Sequence, residues 1–289
     1  MSVTKLAEVA DQIQKYWSPL FTKQLRESLL LGGLVDKRYE GAITKGGDTV
    51  RVSQVNAPTG QLLTVGTDAD SFDTEAVSTN FVDIKADKRA VAAYEFEDLV
   101  SLQSQIAMEN PEVMESLRYA MAKQINDYLY SLTAPSTSAP DHVINSVTDF
   151  NAAQLAAVRL LAAQAKWPND GQWYCIVDPS YYSDLLNAQT LVSSDFGAQD
   201  APVIGGQIAL RRFGFNTLED NSRATDKALI FHPSYLHMVS QPEVQVKISD
   251  MHSSKKFGMV MSVDMVFGAK LGIEGSKKHI SVVAAASGS

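Results

Sequence analysis

The sequence predicts an α+β protein, and three observations carry that prediction. Two segments of near period-two alternation flank a long polar stretch between residues 48 and 94. A single long apolar stripe of helical period follows at 111–132. Beyond a Ser/Thr/Ala/Pro-rich break, short apolar runs alternate with helical ones.

Residues 3–31 read as an amphipathic helix broken near Trp17, Ser18 and Pro19. Leu6, Val9, Ile13, Tyr16, Leu20, Leu25 and Leu29 form its apolar face, and it is expected to stop at Gly32 and Gly33. This is an arm with one face to bury.

Asp48 to Val55 sets Val50, Val52 and Val55 among Thr49, Arg51, Ser53 and Gln54. Ala76 to Tyr94 repeats the pattern through Val77, Thr79, Phe81, Val82, Ile84, Val91 and Tyr94, so the two runs are the arms of a long β-hairpin. Between them, Asn56 to Glu75 carries Pro58, Gly60, Gly66 and a Thr/Asp/Ser-rich run, with only Leu62, Leu63, Val65 and Phe72 as large apolar residues. An isolated two-stranded ribbon has one thin face and no second layer, so it is expected to lie on another surface.

Charge bears on which surface. No Lys or Arg occurs between Arg51 and Lys85, whereas Asp68, Asp70, Asp73, Glu75 and Asp83 do. The plain reading is a solvated acidic loop. The sharper one is an inter-subunit contact in which the tip, made of Leu62, Leu63, Val65, Asp68, Asp70, Phe72, Asp73 and Glu75, docks on a basic patch of an adjacent copy. Lys37, Arg38, Arg211, Arg212, Lys255 and Lys256 are the candidate basic partners, with Lys277 and Lys278 a further pair.

Glu95 to Glu109 reads as a short helix. Asn110 then suits an N-cap, Pro111 the first helical position and Glu112 the positive end of the dipole of the long helix. Val113, Leu117, Met121, Ile125 and Leu129 recur every fourth residue, widened by Met114, Ala120, Tyr128 and Leu132. Positions 111 to 132 would span roughly 33 Å. The stripe predicts a core helix under a sheet rather than a ligand-binding face.

Ser131 to Pro140 marks a boundary. Asn151 to Lys166 is then a helix, Trp173 to Val177 a buried strand, Pro179 to Ala188 a helix opened by proline, and Gln207 to Arg212 and Ala228 to Phe231 are strands. A helical turn follows Pro233, and Val244 to Ile248 and Phe257 to Ala269 are antiparallel strands returning to the first half. There is no internal repeat.

At 289 residues, 45% apolar and 20% charged, the chain has the composition of a folded protein with one large core or two modest ones. The one cysteine, Cys175, lies in an apolar run, which excludes a disulfide framework within the chain and reads as a small buried hydrophobe. No signal peptide and no membrane-spanning run are expected. The net charge of −8 without a basic stripe argues against sequence-specific nucleic-acid contact.

Motifs for catalysis are missing: no P-loop, no G-x-G-x-x-G after a strand, no G-x-S-x-G and no H-E-x-x-H. His142, His232, His237, His252 and His279 are the histidines. The spacing of His232 and His237 does not place them on one helical face, and no Cys pair accompanies them, so neither a metal nor any other cofactor is expected. Gly205 and Gly206 have no lysine after them and read as a tight turn. The expectation is a protein that is not an enzyme.

The order of parts resembles the major capsid protein of tailed bacteriophages, with its Hong Kong 97-type fold. The residues that carry the resemblance are a helical arm, Tyr39-Glu40-Gly41, Gly46-Gly47-Asp48-Thr49-Val50, a projecting hairpin and a long helix. Tyr174-Cys175-Ile176-Val177-Asp178-Pro179, the run from Gly205 to Leu218, and Phe231-His232-Pro233 before the closing strands complete it. It covers nearly the whole chain. It implies an N-terminal arm at 1–42, an extended hairpin loop at 43–94, a peripheral domain at 95–140 and 241–289 with spine helix 111–132, and an axial domain at 141–240.

The resemblance further implies that the hairpin lies over a neighbouring subunit, and that hexamers and pentamers of the chain close an icosahedral shell around double-stranded DNA, assembled in the host bacterial cytoplasm. A separate scaffolding protein and a portal are implied partners, and a separate cement protein is compatible. Positions 52 to 84 hold no lysine, so no isopeptide crosslink through the hairpin is expected. Two alternatives remain open: an encapsulin-like cellular nanocompartment shell, and a soluble α+β hydrolase or binding protein with its pocket at 141–240.

Overall fold

The computed structural model describes residues 26, 29–39, 49–65, 72–97, 111–134, 142–145, 147–188, 211–223, 225, 227–240, 245–252 and 256–283. In chain order the elements are α1 (Leu31–Leu34), β1 (Thr49–Val55), β2 (Thr79–Lys85), β3 (Lys88–Glu97), α2 (Pro111–Thr133), β4 (His142–Ile144), α3 (Ala152–Gln164), β5 (Trp173–Val177), α4 (Pro179–Asn187), β6 (Arg211–Arg212), β7 (Phe215–Glu219), β8 (Lys227–Phe231), β9 (Leu236–Ser240), β10 (Gln245–Asp250), β11 (Gly258–Leu271) and β12 (His279–Val283). Two 3-10 turns, Pro233–Tyr235 and Gly275–Lys278, complete them.

A six-stranded mixed sheet, in the order β4-β12-β8-β5-β7-β6, is the centre of the molecule. Its strands alternate between two cores. Trp173, Cys175 and Val177 of β5, Ala228 and Ile230 of β8, and Ile280 and Val282 of β12 face α3 and α4, packing on Phe150, Leu155, Val158, Tyr181 and Leu185. Ile176, Leu229 and Phe231 face the other way, onto Leu117, Met121, Ile125 and Leu129 of α2. Period-two alternation thus makes one sheet a wall of both cores.

The helices over this sheet begin where side chains satisfy their first amides. The Asn151 carboxamide oxygen accepts from Ala153 N at 3.0 Å at the start of α3, and buried Asp178 accepts from the amides of Ser180 and Tyr181, both at 3.3 Å, at the start of α4. α3 ends in a Schellman motif: Trp167 N donates to Ala162 O at 3.1 Å and Lys166 N to Ala163 O at 3.0 Å, with Lys166 left-handed at φ 57°.

The second sheet is built around β11, which pairs antiparallel with β3, β10 and β9. Its inner face, with Ala90, Leu236, Met238, Met261, Val263 and Phe267, packs on α2. On its outer face, Val239 of β9 packs with Val52 and Ile84 of the third sheet, the β1–β2 hairpin. The layers are therefore α2, sheet, hairpin.

The structure departs from the sequence expectations at several points. The second hairpin arm is not continuous: it bends at Ala86–Asp87, and the residues after the bend form β3 of the second sheet. Glu95 to Glu97 are extended, pairing with Val260 to Gly258, rather than helical, because β11 offers a full-length edge to them; residues 98–110, including the expected N-cap Asn110, lie outside the described residues. Gly32 and Gly33 sit inside the helical turn α1 instead of ending it, and residues 3–25, 27 and 28 of the expected arm helix lie outside the described residues.

On α2 the stripe of every fourth residue is buried from Leu117 to Leu129, but Ala120 is exposed, whereas Asn126 and Thr133 are buried. Asn126 Nδ2 donates to Ser222 Oγ at 3.1 Å, and Thr133 O accepts from Ser281 Oγ at 3.1 Å. Strands β9 and β12 exchange sides relative to chain order. β9, within 141–240, pairs with β11, while β12, within 241–289, inserts between β4 and β8.

Candidate functional site

The hairpin is clamped at its root and bare at its tip. Register pairs Val50 with Ile84, Val52 with Val82, Arg51 with Asp83 and Ser53 with Phe81. One face, with Val50, Val52, Val82 and Ile84, meets Val239 and Tyr39. Two polar ties reinforce this contact. Lys270 Nζ donates to Asp83 O at 3.3 Å. Asp36 exchanges backbone hydrogen bonds with β9, its N donating to Leu236 O at 3.1 Å and its O accepting from Met238 N at 3.0 Å.

The Asp36 side chain accepts a forked pair from Arg38, Nε to Oδ2 at 2.9 Å and the terminal nitrogen to Oδ2 at 2.6 Å. His237 Nδ1 lies 3.0 Å from Asp36 Oδ2, close enough for an ion pair though without hydrogen-bond alignment. Burial opposes ionisation of Asp36, yet Arg38 and His237 hold its carboxyl below the usual range. Burial pushes the His237 imidazole down, toward the neutral form, and Tyr39 packs edge-on against it at 5.5 Å.

Away from the root, the ribbon is held by its own polar rungs. Arg51 makes a bidentate pair with Asp83 at 2.7 and 2.8 Å, and its guanidinium lies 4.3 Å over the Phe81 ring. Asn56 Nδ2 donates to Ser78 Oγ at 3.0 Å and Asn80 Nδ2 to Asn56 Oδ1 at 2.9 Å. Asp73 N donates to Gln61 Oε1, and Thr59 N to Glu75 Oε2, both at 3.1 Å. The Thr59 amide holds the Glu75 carboxyl below its ordinary range.

Polar groups are thus largely consumed within the ribbon, and apolar ones are left over. Leu62 and Val65 are 100% exposed, Val77 83%, Phe72 72%, and Val55 and Phe81 are also exposed. The expected tip residues Leu62, Leu63, Val65 and Phe72 are all in the open, Glu75 is exposed but engaged by the Thr59 amide, and Asp68 and Asp70 lie outside the described residues. Val55, Val77 and Phe81 were not singled out from sequence. The alternation held the signal for two of them: Val55 and Phe81 fall on the face of the ribbon opposite Val52 and Ile84.

Four of the eight candidate cations are engaged within the chain. Arg38 is tied to Asp36, and Lys256 Nζ lies 3.0 Å from Glu95 Oε1. Lys277 lies 3.5 Å from Glu274, and Lys278 Nζ donates to Ile273 O at 3.3 Å. Lys37 is exposed, the backbone of Arg211 and Arg212 forms β6, and Lys255 lies outside the described residues. Among the described residues no ion pair joins the tip to any of these cations.

One constellation has the outline of a catalytic relay. His232 Nε2 is 3.0 Å from Asp170 Oδ2, and its Nδ1 is 2.7 Å from Ser234 Oγ. Nδ1 also accepts from Ser234 N at 3.3 Å, as the cap of the 3-10 turn. The Ser234 hydroxyl closes a local turn, and the trio latches the loop before β5 to the β8–β9 corner. Cys175 is buried, and burial pushes its thiol up to about 12. Among the described residues there is no group of three or more His, Cys, Asp or Glu that could hold a metal ion, and no helix long and apolar enough to cross a membrane.

A family model described as phage capsid protein matches residues 67–276, from the hairpin tip to the turn before β12. The chain belongs to the phage capsid protein family. No curated protein sequence matches this capsid chain. Solved structures do. One described as Mycobacterium phage Che8 is 21% identical with a TM-score of 0.70, over 93% of this chain and 96% of that one. The capsid of the cyanophage P-SCSP1u is 18% identical with a TM-score of 0.73, over 96% and 95%. The cyanophage Pam1 capsid is 13% identical with a TM-score of 0.72, over 99% and 100%. The α+β fold of this capsid chain is the Hong Kong 97-type capsid fold.

Proposed function

We propose that this chain is the major capsid protein of a tailed phage and that its copies close an icosahedral shell around double-stranded DNA. The observation that carries the reading is the hairpin: rigid at its root, cross-braced along its length, and presenting Leu62, Val65, Phe72 and Val77 to solvent. Exposed apolar groups gathered at the end of a projecting arm call for a partner surface. A family whose members are capsid proteins supplies one in the next copy of the same chain.

The tip inserts against a neighbouring subunit mainly through these apolar residues, with Asp68, Asp70 and Asp73 biasing register and the choice among Lys37, Arg211, Arg212 and Lys255. The role is structural and not enzymatic. A separate scaffolding protein and portal, and a separate cement protein where one exists, complete the particle, which is built in the host cytoplasm and found in the virion. Particles release single subunits on a denaturing gel, because positions 52–84 of the hairpin hold no lysine to crosslink.

The test is electron microscopy and sedimentation of the full chain expressed with and without scaffolding candidates. Closed shells of megadalton mass are expected. A small, monodisperse species under every condition, including co-expression with the scaffold, would overturn the reading.

A further inference from the structure

Between β2 and β3 the chain leaves the outer face of the second sheet and joins its edge within two residues, Ala86 and Asp87. To do so it passes directly over Gly268 of β11. A Cβ at this position would stand 2.0 Å from Lys85 O, 2.6 Å from Lys85 C and 2.9 Å from Ala86 Cα, all backbone atoms that a rotamer change cannot move aside.

The preceding residue of β11 is already paired: Phe267 faces Lys88 at the start of β3. On the far side of the crossing, Lys270 Nζ holds Asp83 O, and Val239, opposite Gly268 in β9, packs on Ile84 and Val52. The crossing is therefore fixed at both ends, with no slack, and its height above β11 is set by a missing side chain.

We propose that Gly268 is a positioning residue for assembly: by letting Lys85 and Ala86 lie on β11, it sets the angle at which the hairpin leaves the body and hence where the tip meets the next copy. The inference rests on the shell reading above. A methyl group here lifts the β2–β3 crossing, and a small tilt at the root becomes a large displacement at Leu62 and Val65 while the two cores beneath remain packed.

The experiment compares wild type, Gly268→Ala, and a variant with one glycine inserted between Ala86 and Asp87, each co-expressed with the scaffold that supports wild-type shells. Circular dichroism and resistance of Cys175 to thiol reagents report the body. Particle yield and diameter report the hairpin. Both variants are expected to keep the body folded and to lose about tenfold or more of closed-particle yield, or to give a broadened diameter distribution. If Gly268→Ala does not fold, the insertion variant decides, because it adds slack without a clash. Wild-type-like particles from the insertion variant, or from a folded Gly268→Ala, would overturn the inference. Absence of shells from wild type itself would instead overturn the shell reading.

Discussion

Tyr130, on the last turns of the long helix, donates its phenolic hydrogen bond to the buried carboxylate of Asp220, on the turn that follows β7. Asp220 also accepts from Ser222 N at 2.8 Å and from Ser222 Oγ at 2.6 Å, and Ser222 Oγ accepts from Asn126. The pair fastens α2 to the connection between two strands of the six-stranded sheet.

Replacing Tyr130 with Phe removes one donor from a fully buried carboxylate and leaves the rest of the network standing. The expected cost is about 1–3 kcal/mol of subunit stability. Denaturant unfolding of unassembled protein measures it, and an unchanged midpoint would show that Ser222 alone satisfies Asp220.

Alkali should loosen the subunit in a defined window. Burial raises the pKa of Tyr130, reinforced by Asp220, and burial likewise raises that of Tyr235; Cys175 is pushed from 9.0 to about 12. Groups whose folded pKa lies above the unfolded value bind more protons folded than unfolded, so stability falls as pH rises past the unfolded values. The melting temperature should hold below about pH 9 and decline from about 9 for the thiol and about 10 for the phenols. Ultraviolet titration should show no phenolate from Tyr130 or Tyr235 before unfolding.

At the tip, Leu62, Val65 and Phe72 together changed to Ser should abolish shell formation while moving subunit stability by less than about 0.5 kcal/mol. Each large side chain withdrawn from an apolar contact forfeits about 1.5–3 kcal/mol at an interface. Changing Asp68, Asp70 and Asp73 together to Lys should slow assembly more than it lowers final yield. Light scattering separates the two, and normal assembly of the apolar triple variant would contradict docking through the tip.

Lys166→Gly should stabilise the subunit by about 1 kcal/mol, because the Schellman turn after α3 requires a left-handed residue and any Cβ there is strained. Asp178→Ala should destabilise it by about 1–2 kcal/mol through loss of the α4 cap. Thermal melting of the pair gives opposite signs.

Where the sequence was legible, local periodicity and local capping agreed with the tertiary packing. Trp173–Val177 alternates into two cores and was read to the residue; Asn151 and Pro179 mark helix starts by chemistry that needs no partner. The bend at Ala86–Asp87 has no Gly or Pro to announce it, because the cause sits at Gly268, far along the chain. β12 was missed for the same reason: its place between β4 and β8 is set by strands that end about 50 to 135 residues earlier. At the tip, composition gave the sign of the charge, but only three-dimensional pairing shows that Glu75 and Asp83 are spent inside the ribbon and the apolar side chains are what remains.

The place of β12 also imposes an order on folding. β4 and β8 cannot be neighbours; each waits for the strand between them, and that strand follows both in the chain. A polypeptide that stops short of residue 283 therefore leaves β4 detached and the edge of β8 bare, with the wall shared by the two cores unfinished.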